Sequence, residues 1–91
     1  MRFEWDESKR IKNLNRHGID FVGLELLFDS ETHTVLDDRY DYGETRLLTI
    51  GFLNGEVFAV SHLESGDVIR IISVRKAQKH EQEIYFREIR D

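Results

Sequence analysis

The spacing of apolar residues along this chain changes twice, and each change marks a new kind of element. Phe3 and Trp5 alternate with Arg2, Glu4 and Asp6, which predicts a short strand with both aromatics on one side. Asp6 is then placed to be an N-cap, because its carboxylate can accept the free N–H groups of a first helical turn. Glu7 suits the positive end of that helix, and Arg16 and His17 suit its negative end. Gly18 can take the left-handed conformation that closes a helix. The spacing predicts a helix over Glu7–His17 with Ile11 and Leu14 facing inward. Asp20 is expected to cap a second helix, whose Phe21, Leu24, Leu27 and Phe28 follow the 3.6-residue period.

Beyond His33 the pattern is that of strands. Thr34-Val35-Leu36 is short and runs into a polar turn at Asp41-Tyr42-Gly43. The segments Glu44–Leu53 and Glu56–Leu63 flank Asn54-Gly55, whose tolerance of positive φ marks a type I′ hairpin. Glu64-Ser65-Gly66-Asp67 reads as a second turn and Val68–Val74 as the third strand of an antiparallel meander. The last segment, Ala77–Ile89, is helical, with Ala77, Ile84, Tyr85 and Ile89 on one broad face. The order β-α-α-β-β-β-β-α predicts an α+β fold, an antiparallel sheet with helices against one face and room for a site on the other.

At 91 residues the chain supports one domain, spanning 1–91, with a modest core. It contains no Cys, hence no disulfide framework and no thiolate chemistry. The first residues have no apolar run of the signal-peptide kind, and no stretch approaches the ~20 apolar residues that span a bilayer. A cytoplasmic protein with no membrane partner is the expectation.

Charge alters this picture more than composition does. The formal net charge is −5, yet Ser8–Ile19 carries Lys9, Arg10, Lys12 and Arg16 without one acid. Val68–His80 carries Arg70, Arg75, Lys76 and Lys79, again without an acid, while the segment between is acidic, with only Arg39 and Arg46 as cations. Such segregation points to one face for an anion and another for a basic partner; solvated faces are the plain alternative.

RNA cleavage is the chemistry that this set could serve. It needs a base for the 2′-hydroxyl, an acid for the 5′-oxygen and cations for the charge developing on phosphorus. His62, His17 and His80 are acid–base candidates, since imidazole titrates near neutrality. Arg46, Arg70, Arg75, Lys76 and Lys79 could hold phosphate, and Tyr85 could stack on a base or pack the helix. Strand parity limits them: on an unbroken strand Arg70 and Arg75 lie on opposite faces. Each residue also has a structural reading. Arg70 could pair with Glu44 or Asp67, His62 could be a half-exposed sheet histidine, and Lys9, Lys12 and Arg16 could be a solvated helix face. The four histidines lack metal-ligand spacing, and no phosphate-binding loop or Ser-His-Asp set is present, so no metal or other cofactor is expected.

The chain resembles the BrnT-type toxins of bacterial toxin–antitoxin pairs, which are related in fold to the RelE and ParE toxins. The likeness is carried by Phe3-Glu4-Trp5-Asp6, Lys9, Asn13 and Arg16-His17-Gly18-Ile19-Asp20-Phe21 in the N-terminal part. It continues through Glu44-Thr45-Arg46, Ile50-Gly51 and Arg70-Ile71-Ile72-Ser73-Val74-Arg75-Lys76-Ala77 to Glu81 and Tyr85. The resemblance implies a metal-independent endoribonuclease that inhibits growth. It also implies a ribbon-helix-helix antitoxin encoded next door, through which alone the toxin meets DNA. Carried over residue by residue, Arg46, Arg70 and Arg75 match basic positions of the family's motif and are expected at the phosphate; His62 is expected in proton transfer, and Lys76, Lys79, Arg16, His17 and Tyr85 against RNA. Leu63-Glu64-Ser65-Gly66 departs from the family, which commonly has Thr-x-Arg or a similar polar-basic element there. A catalytically weak homologue that serves as an antitoxin-binding, co-repressing module is the alternative.

Overall fold

The computed structural model describes residues 1–38 and 41–90, the side chain of Arg90 excepted; Arg39, Tyr40 and Asp91 lie outside the described residues. After strand β1 (Arg2–Trp5), Asp6 Oδ1 accepts the N–H groups of Ser8 at 2.9 Å and Lys9 at 3.2 Å, opening helix α1 (Glu7–His17). Gly18, at φ +72°, ends the helix by donating its N–H to the Leu14 carbonyl at 2.8 Å.

The inward face of α1 differs from the expectation. Ile11 and Leu14 are exposed, and the buried residue is Asn13. The reason lies in the neighbouring strand. Residues 2–5 of β1 pair with residues 68–71 of strand β5 (Val68–Lys76), so β1 stops before Val74. Asn13 Oδ1 accepts the Val74 N–H at 3.0 Å, and its amide donates to the Ile19 carbonyl at 3.1 Å. Helix α1 therefore completes a strand edge through one polar side chain, which leaves its apolar positions outside.

Helix α2 is shorter than its periodicity implies, Glu25–Asp29, and Leu24 rather than Asp20 precedes it. Gly23 at φ +98° interrupts the helical path between Phe21 and Glu25. Asp20 instead ties the loop to α1, accepting the Val22 N–H at 3.1 Å and the Arg10 guanidinium at 3.0 Å.

Strands β2 (Thr32–Asp37), β3 (Arg46–Leu53), β4 (Glu56–Ser65) and β5 form the expected antiparallel meander. Asn54 and Gly55 both take positive φ, +52° and +83°, at the β3–β4 turn. The strand order is β1-β5-β4-β3-β2, with β1 parallel to β5. The sheet is thus mixed and not antiparallel throughout.

The helices cover both faces, not one. On the inner face Phe21, Leu24 and Leu27 pack on Phe58, Val60, Ile69, Ile71 and Val74, with Phe3 and Trp5 beside them. Gly51 of β3 lies under α2, where a Cβ would stand 2.7 Å from Leu27 Cδ2. On the outer face Tyr85 of helix α3 (Lys79–Arg90), with Ala77 just ahead of the helix, packs against Ile50 and Val57. A helix lying there needs an apolar partner, and the alternating strands supply one on each side. No helix among the described residues is long and apolar enough to cross a membrane.

Candidate nucleic-acid interface

Register decides which cations meet. Along β4 and β5, Ser61 pairs with Ser73 but His62 pairs with Ile71, so Ile72 is an extra residue in β5. This bulge reverses parity partway along the strand. Ile69, Ile71 and Val74 consequently all face the inner core, while Arg70, Ser73 and Arg75 share the outer face. Arg46 joins them, since it is opposite Asp37 and one step beyond the Leu47–His62 pair. Arg46, Leu63 and Arg70 then form one cross-strand row, with Arg46 and Arg70 roughly 10 Å apart at the backbone, two strand spacings. Ser61 and Ser73 make the next row, and Ala59 and Arg75 the one after. Leu48 and Ile50 of β3 complete these two rows, and Ser61 and Ala59 within them are buried.

Each arginine has a carboxylate partner, and the pairs differ in kind. Arg70 Nη1 is 3.5 Å from Glu4 Oε1, its neighbour on β1, with both side chains about half exposed. Arg46 Nε donates to Glu44 Oε2 at 2.9 Å, and its guanidinium carbon lies 4.0 Å from the centre of the Tyr42 ring. In the Arg46 pair it is Glu44 that is open to solvent, the arginine being half-buried; pairs with a solvated carboxylate are worth about 0–1 kcal/mol and yield readily to a competing anion. The Arg75 pair is of another kind. Its Nη1 and Nη2 donate to the two Glu81 oxygens at 2.7 and 3.0 Å, and Glu81 is buried. Glu81 Oε1 also accepts the Gln78 N–H at 2.7 Å at the start of α3. Burial alone would raise the Glu81 carboxyl, but Arg75 and the Gln78 N–H outweigh it and hold its pKa below the ordinary value. Arg75 thereby fastens α3 to β5.

His62 is on the inner face and fully buried, not half exposed. Its Nε2 is 2.6 Å from Thr49 Oγ1, which is 2.7 Å from Thr34 Oγ1, so a polar thread crosses β4, β3 and β2. Phe28 stands edge-on to the ring with centroids 5.2 Å apart. Burial lowers the His62 pKa, against the partial opposition of Glu64. With the sheet between it and the arginines, His62 cannot transfer protons there. Tyr85 is likewise buried, its hydroxyl donating to the Glu31 carbonyl at 3.0 Å, so it packs α3 and presents no ring to a base.

The remaining cations fall in two places. Lys76, at the end of β5, is 3.4 Å from Glu56, and Lys79 is exposed on the first turn of α3. Arg16 and His17 line a groove of about 200 Å3 with Lys9, Lys12, Asn13, Ile72 and Ser73. His80 and His33 border an apolar hollow between α3 and β2, with Glu81 and Asp37. Among the described residues no group of three or more His, Cys, Asp or Glu is arranged to hold a metal ion. The sequence reading missed the bulge at Ile72, for which a continuous apolar run has no signal. It also missed Glu4 as the Arg70 partner, because parallel pairing with β1 is non-local.

The family model described as the ribonuclease toxin, BrnT, of type II toxin–antitoxin systems matches residues 5–81, from the end of β1 into α3. No curated protein matches the chain.

Proposed function

The chain belongs to the BrnT family of ribonuclease toxins of type II toxin–antitoxin systems, and from this we propose that it is a cytoplasmic endoribonuclease that slows growth by cutting RNA. Its antitoxin is of the DNA-binding ribbon-helix-helix type, holds the toxin inactive and brings it to promoter DNA. One observation carries the site assignment: the Ile72 bulge turns Arg70 to the face that holds Arg46. Their pairs with Glu4 and Glu44 open when a phosphodiester enters, and two guanidinium forks then grip its oxygens from either side of Leu63.

Released beside the phosphate, Glu4 and Glu44 are the bases nearest to the attacking group. The 2′-oxygen bonds to phosphorus and gives its proton to a carboxylate. The bond from phosphorus to the 5′-oxygen breaks, and that oxygen takes a proton from water. The products are a 2′,3′-cyclic phosphate and a 5′-hydroxyl. Arg46 and Arg70 stabilise the extra charge on the pentacoordinate phosphorus, and no metal enters this route.

A second reading is a catalytically weak homologue that binds its antitoxin and supports repression. The carboxylate partner on every arginine of this face favours it, as does apolar Leu63 between Arg46 and Arg70. Toxin stripped of antitoxin and incubated with end-labelled RNA in EDTA separates the two. The first reading expects cleavage, with Arg46→Ala and Arg70→Ala each slowing it by about 10²-fold, the usual loss for one transition-state donor. Intact RNA from a toxin that still binds its antitoxin tightly establishes the second.

A further inference from the structure

The groove between α1 and the β5 bulge gathers cations that no carboxylate in the described residues pairs with directly. Lys9, Lys12 and Arg16 are spaced i, i+3 and i+7 along α1, and His17 follows. None of these four side chains makes a hydrogen bond or ion pair among the described residues. Arg10 on the same helix turns the other way and is held by Glu7 and Asp20. The contrast matters in a chain of net charge −5, where carboxylates are plentiful. Like charges at i, i+3 and i, i+4 destabilise a helix, and Lys9 sits in the first turn, where the dipole disfavours a cation. Arg16 and His17 suit the C-terminal end of α1, but the mutual repulsion along Lys9, Lys12 and Arg16 is relieved only when an anion lies across them.

We infer that this groove is a second RNA-backbone site, which grips the strand flanking the scissile phosphate and takes no part in bond breaking. The inference rests on the ribonuclease reading and extends it. Ser73 ties the two places together: it lines the groove and sits on the outer face between the Arg70 and Arg75 rows. Ile72, the bulged residue, lines the same groove, so the irregularity that orients Arg70 also shapes this channel. A single continuous polyanion crossing the arginine face passes over Ser73 and into the groove. A floor of Ile72, Ser73 and Asn13 offers no base-edge code, so the contact is to phosphates and insensitive to sequence.

The test uses the purified full chain and a fluorescein-labelled oligoribonucleotide with 2′-O-methyl groups throughout, which binds but cannot be cut. Anisotropy titrations over a series of KCl concentrations give the slope of log K against log salt. Lys9→Gln/Lys12→Gln/Arg16→Gln is expected to make that slope shallower by about 2, three phosphate contacts at ~0.7 each on a single strand. In cleavage of unmodified RNA the same variant raises KM far more than it lowers kcat, whereas Arg46→Ala and Arg70→Ala act on kcat. Its thermal unfolding temperature stays within a few degrees of wild type, because the self-repulsion removed is offset by the loss of Arg16 from the C-terminal end of α1. Wild-type slope and KM in the triple variant overturn the inference and leave the ribonuclease reading standing. Unaltered RNA binding with loss of the co-expressed antitoxin also overturns it and assigns the groove to the protein partner. If wild-type toxin neither binds the oligonucleotide nor cuts RNA, both readings fall.

Discussion

Replacing Arg75 by Ala separates the residues that hold the fold from those that meet substrate. The substitution removes both guanidinium donors from Glu81, at 2.7 and 3.0 Å, and leaves that carboxylate with the Gln78 N–H at 2.7 Å. Glu81 is only 6% exposed, so it is poorly rehydrated where it stands. Breaking a fully buried pair costs ~3–5 kcal/mol, whereas exposed pairs are worth ~0–1. The Arg75 side chain is 23% exposed, which lets some water into the vacated space. The expected loss is therefore about 2–3 kcal/mol, between these two limits. For a domain of this size that lowers the unfolding temperature by roughly 10–20 °C, and the urea midpoint by about 2–3 M if m is near 1 kcal/mol/M. The assay is equilibrium urea unfolding followed by circular dichroism. Glu81→Gln added to Arg75→Ala should recover part of the loss, because the uncompensated charge is gone; a coupling of about 0.5–3 kcal/mol is expected for groups in direct contact. Arg46→Ala and Arg70→Ala should each stay within about 1 kcal/mol of wild type. An Arg75→Ala protein that unfolds at the wild-type midpoint yet no longer cuts RNA refutes this reasoning and returns Arg75 to the reaction itself.

Two further outcomes follow from buried polar groups. Asn13→Ala strips the Val74 N–H and the Ile19 carbonyl of their partners and should cost about 2–3 kcal/mol in urea unfolding, mostly the penalty for an unsatisfied buried donor; a loss below 0.5, as for an exposed site, would mean that water replaces the amide. The His62 pKa is lowered in the fold, so the unfolded chain binds its proton first as pH falls: stability is complete above the unfolded value near 6.5 and declines as pH drops through the lower folded value. His62→Gln should remove that decline while the loss tied to Glu81, also a lowered group, persists at more acid pH below its ordinary value of 4.5; an unchanged decline in the variant would place its origin elsewhere.

Local signals carried most of the elements. Asp6, Gly18 and Asn54-Gly55 each impose a backbone geometry within a few residues, and α1 and the β3–β4 hairpin appear where these residues put them. Non-local pairing was not legible. Nothing in Phe3-Glu4-Trp5 announces that β1 runs parallel to β5, whose partner residues are Ile69, Arg70 and Ile71. The amphipathic period of α3 showed that it has an apolar face, but not which side of the sheet would receive it. The error on Ile11 and Leu14 has the same source, since α1 was assumed to need an apolar contact when its anchor is the amide of Asn13.

The candidate site turns on a single inserted residue. In the run Arg70-Ile71-Ile72-Ser73-Val74-Arg75, a regular strand sends Arg70 and Arg75 to opposite faces. It would also split the core, because Ile71 and Val74 would then point opposite ways. Both are buried on the inner face, at 1% and 0% exposure, with Val74 opposite Val60 and Ile71 opposite His62. Burial of these two side chains therefore fixes the bulge between them, and the shared face of Arg70 and Arg75 is its consequence. Core packing and the cationic surface are thus one constraint read from two sides of the sheet. A substitution that straightened β5 would expose Ile69 and Ile71 together as it drew Arg70 inward, so the arginine face cannot be dismantled by register alone without dismantling the core.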